Sequence, residues 1–385
     1  MCIIFTFEKI LEKIEKNQKT FLVKYDFSNA FGTLNHKVLL YTARKLKLSE
    51  EVIGFLEGYL RNQSMAQTVV KDQCGTYLSE RTLMNRGTVQ GQIGADLCFI
   101  IQQLCLRELN GVYRTSYVDD INDIVSSETF EGTQVIIDKN EEELGLQSKK
   151  LGFKLNEEKT VKIPFNIRGE NLKELVCTRF SELLGLPFIA LTTGFDMTPA
   201  VNRVCNRLTF RTRKMHILRQ YVTDTKTLVK VARNFIYESI GELHLIYAYS
   251  KSPIKDFNRV QVKVNDIIRA SGLSIETPQP YLDMCLGTCL KPFLHHAIIL
   301  NGLKILGMKA LDNVDRSLKF RTKFPVGGYL HKFTKIWNDE LTFEQKFFII
   351  QTKKLHLIKK FLKKSRKLKY VPFIHTKFKW TRYKM

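Results

Sequence analysis

The segment RTSYVDDINDIV, residues 114–125, sets two adjacent carboxylates, Asp119 and Asp120, among β-branched and aromatic residues. Like charges repel, and strands keep acids off a buried face, so the pair calls for a reason. Taken alone, Tyr-Val-Asp-Asp reads as an acidic hairpin turn in solvent. A third carboxylate, Asp26, closes the strand-like run TFLVKYDFS (20–28). Brought to one sheet edge, three such groups suit two magnesium ions, which prefer oxygen ligands and lie roughly 3.5–4 Å apart in nucleotidyl-transfer sites. Manganese is the alternative ion. One ion would lower the pKa of a primer 3′-hydroxyl; the other would hold a triphosphate and stabilise the leaving pyrophosphate. Bound dications would also remove the cost of crowding carboxylates. Asp123, close by, reads as a surface acid.

The elements that must position these groups follow from periodicity. FEKILEKIEKN (7–17) has the apolar spacing of an amphipathic helix, and TFLVKYDFS that of a strand ending at Asp26. Helical spacing returns over 34–46 and over 49–62, the latter opened by Ser49 as N-cap. MAQTVVKD and TYLSERTLM read as two strands around QCG. Residues 86–109 pass from a glycine-containing turn into an apolar helix, the Asp-Asp segment is strand–turn–strand, and an acid-rich helix follows at 136–151. FSELLGLPFIALTTG (180–194) reads as a hairpin around Gly185 and Pro187.

From Thr198 the pattern is helical, with Thr198 as N-cap and Pro199 as the first helical residue. Arg203, Arg207, Arg211 and Lys214 share one face of that helix. With no acids between them they read as unpaired, and as contacts for phosphate.

Charge is segregated along the chain. Residues 1–200 carry 24 Lys and Arg against 26 Asp and Glu, whereas residues 201–385 carry 37 against 12. A polyanion held by the C-terminal half follows, with phosphate backbones the usual candidate. The stretch 352–385 holds thirteen Lys and Arg and no acid, interleaved with Phe361, Tyr370, Phe373, Phe378, Trp380 and Tyr383. That composition suits a nucleic-acid arm, a disordered tail or a nuclear-import signal. No apolar run reaches the eighteen or so residues of a membrane helix. The eight cysteines are scattered and read as reduced intracellular thiols. Cys285, Cys289, His295 and His296 have residue types that bind zinc, although the Cys spacing fits one helical face equally well.

These stretches, in this order, resemble the reverse transcriptases, most closely the type encoded by non-LTR (LINE-like) retrotransposons. VKYDFSNAFGTLNHKVLL resembles the family's first palm motif, RGTVQGQIGADLCFI the second, and YVDD the Tyr-x-Asp-Asp catalytic loop. GFKLNEEKT resembles the Gly-Phe…Asn…Lys-Thr motif that follows, and LLGLPF the primer-grip hairpin. NRLTFRTRKMHILR and SIETPQPYLDMCLG resemble thumb and post-thumb segments. The order holds from about residue 4 to 305. Val89 stands where the family has Pro before Gln-Gly, and Asp96 where it tends to have Pro.

The resemblance implies that Asp26, Asp119 and Asp120 ligate two magnesium ions. It implies that Phe31 is the steric gate excluding a ribose 2′-hydroxyl, and that Gln90, Gly91 and Tyr117 line the nucleotide and primer end. Lys159 would be a proton donor near the pyrophosphate, Leu184 and Gly185 the primer grip, and RNA template, DNA primer and deoxynucleoside triphosphates the partners. The implied fold class is α+β: a reverse-transcriptase palm, an antiparallel sheet with packed helices, followed by an all-α thumb and a helical, basic C-terminal region.

The expected division is a palm with remnant fingers over 1–194, a thumb over 195–255, a post-thumb region over 256–345 and a basic tail over 346–385. With twenty-five residues before Asp26, the chain reads as an N-terminally truncated copy lacking most of the fingers. The alternatives are a retroelement relic that binds nucleic acid without turnover, and a telomerase-like enzyme. TPQPYLDMCLG favours the retroelement. A nuclear location is expected, and the sequence sets no oligomeric state.

Overall fold

The computed structural model describes residues 2–62, 65–66, 69–73, 75–80, 82–83, 86–88, 93–167, 177–286, 290–306 and 324–341. Gln90, Gly91, Cys289 and the basic tail lie outside these residues. The chain divides into two compact units, residues 17–178 and residues 3–16 together with those from 179 onward. The first helix, α1 (Cys2–Glu15), therefore belongs to the second unit. The boundary at 178 precedes the one expected at 194, because the hairpin beyond it packs with the long helix that follows.

The unit 17–178 is built on an antiparallel sheet. In chain order its elements are β1 (Lys19–Tyr25), α2 (Ala30–Thr33), α3 (His36–Lys45), α4 (Glu50–Asn62), β2 (Met65–Ala66), β3 (Val69–Asp72), β4 (Gly75–Leu78), β5 (Thr82–Leu83), α5 (Ile93–Gln103), β6 (Val112–Tyr117), β7 (Asp120–Ser127), α6 (Phe130–Leu151), a 3-10 turn at Glu157–Lys159 and β8 (Val161–Phe165). The main sheet has strand order β6-β7-β1-β8, while β3 with β4 and β2 with β5 form separate pairs. Phe21, Val23 and Tyr25 alternate onto one face of β1, as strand geometry requires, and Ile121 and Val125 join them from β7. Against that face lie Ile137 and Leu144 of α6, Phe99 of α5, Leu39 of α3 and Leu56 of α4, all buried. Each such side chain contributes roughly 1.5–3 kcal/mol on leaving water.

The helix boundaries have local causes. Asn35 caps α3, its Oδ1 accepting from Lys37 N at 3.0 Å and Val38 N at 3.2 Å. Thr129 caps α6 through Gly132 N at 3.0 Å, so this helix starts six residues before the expected 136. Gly152 ends it at φ 85°, the left-handed conformation glycine adopts freely.

The second unit contains β9 (Phe180–Leu183), β10 (Leu186–Leu191), β11 (Gly194–Asp196), α7 (Thr198–Leu218), α8 (Thr225–Ser239), α9 (Leu243–Tyr249), α10 (Pro253–Ala270), α11 (Gln279–Leu286), α12 (Leu290–Leu306) and α13 (Tyr329–Lys335), which runs into a π-helical turn at Ile336–Glu340. The three strands form one antiparallel sheet, and α7 packs on β10 and on α10. Phe7 of α1 stacks on Phe195 with centroids 4.0 Å apart and meets Phe188 and Tyr249 edge-on.

Two expectations are corrected here. Pro187 lies within β10, and the turn is Leu184–Gly185 alone. Met197, not Thr198, is the N-cap of α7, while Asp196 Oδ1 accepts from Thr198 N at 2.9 Å. The α+β class stands: an antiparallel sheet with packed helices, followed by a helical region. Among the described residues, no helix is long and apolar enough to cross a membrane.

Candidate active site

Asp26 and the Asp119–Asp120 pair meet at the ends of neighbouring strands. Strands β1 and β7 are antiparallel with Tyr25 opposite Ile121, a register that one step further sets Asp26 beside Asp120. Strands β6 and β7 are joined by a two-residue turn, Val118–Asp119, with Tyr117 paired to Asp120. The sequence order of the acids thus becomes spatial convergence through a register fixed by alternating apolar residues.

Electrostatics report the same proximity. The Asp120 carboxyl is held above its ordinary range, first by burial and then by the charges of Asp119 and Asp26, with Lys24 opposing. Lys159, on the 3-10 turn, places Nζ 3.1 Å from Asp26 Oδ2. That turn is tied to the strand end by backbone bonds: Asn156 N donates to Asp26 O at 2.9 Å, and Ser28 N to Lys154 O at 2.8 Å. The GFKLNEEKT segment therefore lies beside Asp26 because its backbone extends the pairing beyond β1.

The donor set is all-oxygen, as a hard divalent cation requires, and Asp26 Oδ2 is buried and ion-paired without a well-directed hydrogen bond. Among the described residues, no three His, Cys, Asp or Glu side chains are arranged to hold a metal ion. The chemistry of Asp26, Asp119 and Asp120 fits magnesium, while their side chains share an edge without closing into a ligand set.

The turn itself is strained. Val118 has φ 54°, a left-handed conformation that primed hairpin turns normally assign to Gly, Asn or Asp and that a β-branched residue rarely adopts. Such a residue costs on the order of 1–3 kcal/mol and persists only where its surroundings enforce it. Here the side-chain amide of Gln103, at the end of α5, donates to the Val118 carbonyl.

Below the turn lies a buried polar network. Asp123 is fully buried, which corrects its reading as a surface acid. It faces Arg114 across β6 and β7, with Nε–Oδ1 at 2.7 Å and Nη2–Oδ2 at 2.6 Å. Asn140 of α6 donates to Asp123 Oδ2 at 2.8 Å and to the Tyr25 hydroxyl at 3.3 Å. Burial alone would lower the Arg114 pKa, but the bonds and charge of Asp123 outweigh it and hold the guanidinium charged. Burial, followed by the charges of Asp123 and Glu141, pushes the Tyr25 phenol up, so it stays neutral. The network ends one residue before Asp26.

The remaining expected residues fall as follows. Phe31 is half-buried on α2, its ring 5.8 Å from that of Phe99. Tyr117 is exposed at the end of β6. Residues 86–88 run antiparallel to 31–35: Gly87 N donates to Leu34 O at 2.7 Å, Thr88 N donates to Phe31 O at 2.8 Å, and His36 Nε2 is 2.7 Å from Gly87 O. Gly87 has φ 83°, and a Cβ there would come within 3.1 Å of Gly32 O.

Leu184, Gly185 and the cation stripe lie in the other unit. Leu184 and Gly185 have φ 47° and 81°, the two positive values of a type I′ hairpin turn. The stripe is not unpaired. Arg203 binds Glu182 at 2.5 Å and Gly185 O at 2.6 Å, Arg207 binds Glu242 at 3.1 Å, and Arg211 binds Glu238 at 3.0 Å. Lys214 sits 4.7 Å over the Phe210 ring. The acids come from β9, from the end of α8 and from the residue before α9, so no reading of one helix could find them.

Of the residues of zinc-binding type, His295 Nδ1 is 2.9 Å from Glu340 and Cys285 is a buried thiol, while Cys289 and the His296 side chain lie outside the described residues.

No protein-family model matches the chain, and no curated protein matches it. Among solved structures, apo telomerase from Candida tropicalis aligns at 16% identity over 86% of this chain and 56% of that one, with a TM-score of 0.37. Telomerase from the same organism in complex with a TWJ fragment of telomeric RNA aligns at 17% identity over 77% of this chain and 49% of that one, with a TM-score of 0.36. The Candida albicans telomerase with its TWJ fragment aligns at 12% identity over 75% of this chain and 52% of that one, with a TM-score of 0.35. The chain spans about half the length of these structures. Likeness this loose leaves function to be argued from the site.

Proposed function

We propose that the chain is the polymerase core of an RNA-directed DNA polymerase of the non-LTR retroelement type, taking an RNA template, a DNA primer and deoxynucleoside triphosphates. One observation carries the reading: Asp26 meets the Asp119–Asp120 pair, beside the strained Val118, at the ends of two paired strands, with Lys159 next to Asp26. The ordered motifs from residue 4 to 305 support the same conclusion. Two magnesium ions bound by Asp26, Asp119 and Asp120 would supply a more acidic primer hydroxyl and a stabilised pyrophosphate.

The chain's own residues do the rest. Lys159, an exposed side chain 3.1 Å from Asp26, is the residue that would donate a proton to the pyrophosphate. Phe31 lies against the sugar and excludes a 2′-hydroxyl. Tyr117 supports the primer end.

The test is primer extension on an RNA template with magnesium or manganese, comparing the parent with Asp119→Asn. The substitution removes charge from a turn position and should lower extension on the order of a hundredfold or more. A parent inert with both ions, or extension indifferent to Asp119→Asn, would refute the reading.

The Lys159–Asp26 ion pair favours a second reading, a nucleic-acid-binding protein without turnover. That protein would show salt-sensitive binding of template–primer, unchanged in Asp119→Asn, and no extension.

A further inference from the structure

The sequence places its expected phosphate contacts on one flank of α7. Arg203, Arg207 and Arg211 are neutralised by Glu182, Glu242 and Glu238. About half a turn around the same helix, by its 3.6-residue period, another set of cations faces α10. There α7 and α10 enclose a cleft of 580 Å³ whose lining includes Arg213, His216, Arg219, Lys263 and Arg269. One acid, Asp266, shares the lining, and it lies 3.4 Å from Lys263. Among the described residues, Arg213, Arg219 and Arg269 form no ion pair, and Arg269 Nε is a buried donor without an acceptor.

From this we infer that the cleft between α7 and α10 is a phosphate-binding site that takes the sugar–phosphate backbone of a nucleic-acid strand. A simpler role for these cations is to offset the C-terminal ends of the two helices. That role needs one cation per helix end, each contributing about 0.3–1 kcal/mol. Three unpaired guanidiniums around one cavity exceed it, and they repel one another unless an anion lies between them. Arginine suits the role because its planar fork binds phosphate oxygens in pairs, and an unfilled Nε–H is the donor such a pairing uses. Two threonines in the lining, Thr209 and Thr212, add neutral polar groups. An extended strand, rather than a compact ligand, fits the open line of cations along both helices. The inference does not rest on turnover.

The experiment is fluorescence polarisation of a single-stranded RNA 20-mer with the full chain across a salt series. Removing one phosphate-binding cation should reduce the slope of log K against log salt by about 0.7. The double variant Arg213→Gln/Arg219→Gln, at two exposed positions, is therefore expected to lower the slope by about 1.4 and to weaken binding several-fold or more at low salt. Arg203→Gln/Arg207→Gln should leave the slope at the parental value. Asp119→Asn should also leave it unchanged, which separates this site from failure of the polymerase reading.

A parental slope in Arg213→Gln/Arg219→Gln would overturn the proposal. So would tripolyphosphate binding that is lost in that variant while RNA binding is untouched, since the cleft would then serve a free polyphosphate.

Discussion

Removing the charge of Asp123 should unfold the β6-β7-β1-β8 sheet more readily than any change at the carboxylates above it. In Asp123→Leu the Arg114 guanidinium, whose side chain is 7% exposed, loses a carboxylate partner at 2.6–2.7 Å. Breaking a buried pair from one side costs about 3–5 kcal/mol, because the remaining charge is left in a poor solvent. Arg114→Met should cost a similar amount. In the double variant Arg114→Met/Asp123→Leu neither charge remains, and the penalty is confined to Asn140, whose amide keeps only its 3.3 Å bond to Tyr25. An unpaired buried donor costs about 1–3 kcal/mol, so the double variant should be more stable than either single one.

Both tryptophans, Trp337 and Trp380, lie outside this unit, so hydrogen exchange of peptides covering β6 and β7 is the suitable assay. The cycle should yield a coupling of at least about 3 kcal/mol. Single-variant losses that simply add, within about 0.5 kcal/mol, would show that the two side chains do not act as a buried pair and would refute the reasoning.

Glu8 offers a test in the second unit. Burial, the largest cause, raises its carboxyl from 4.5 to about 7, against hydrogen bonds from Tyr329 N and the Tyr249 hydroxyl. The folded state therefore holds its proton longer than the unfolded one, and stability falls as pH rises from about 4.5 through 7, by about 3 kcal/mol in total. Glu8→Gln should remove most of that loss, read as the difference in Trp337-monitored unfolding between pH 5 and pH 8; parallel pH curves for parent and variant would contradict it. Val118→Gly trades relief of a left-handed valine against lost packing, and should change stability by less than about 1 kcal/mol. Val125→Gly, in ordinary strand backbone on the buried face, should cost several times more, and equal costs would remove the case for strain.

Much of this site is legible in the sequence because it is made of local patterns. Alternation places Asp26 at the end of a strand, and the spacing in YVDD gives a hairpin. The buried Asp123 is legible in principle: with a two-residue turn at Val118–Asp119, antiparallel counting puts Arg114 opposite it. A charge in a strand reads as surface because burial depends on what α6 lays over the sheet, and periodicity of one strand carries no information about that cover. The cation stripe misleads for a related reason. Its partners stand 21, 27 and 35 residues away, and only tertiary packing brings them to α7. Gln103 has no sequence signal at all, since it acts on a backbone carbonyl that any residue would supply.

The placement of α1 sets an order of events during synthesis. Ile4, Phe7, Ile10 and Leu11 are buried in the unit that begins again at residue 179, and Glu8 bonds to Tyr329, 321 positions later. At 5–20 residues per second, the ribosome takes roughly 15–65 s to supply that partner. Through this interval the first helix waits as an amphipathic segment without its core, while residues 17–178 can already close their own sheet. This helix is thus made before, and secured after, the sheet of residues 17–178, and a chaperone that shields apolar helices would find a target in it.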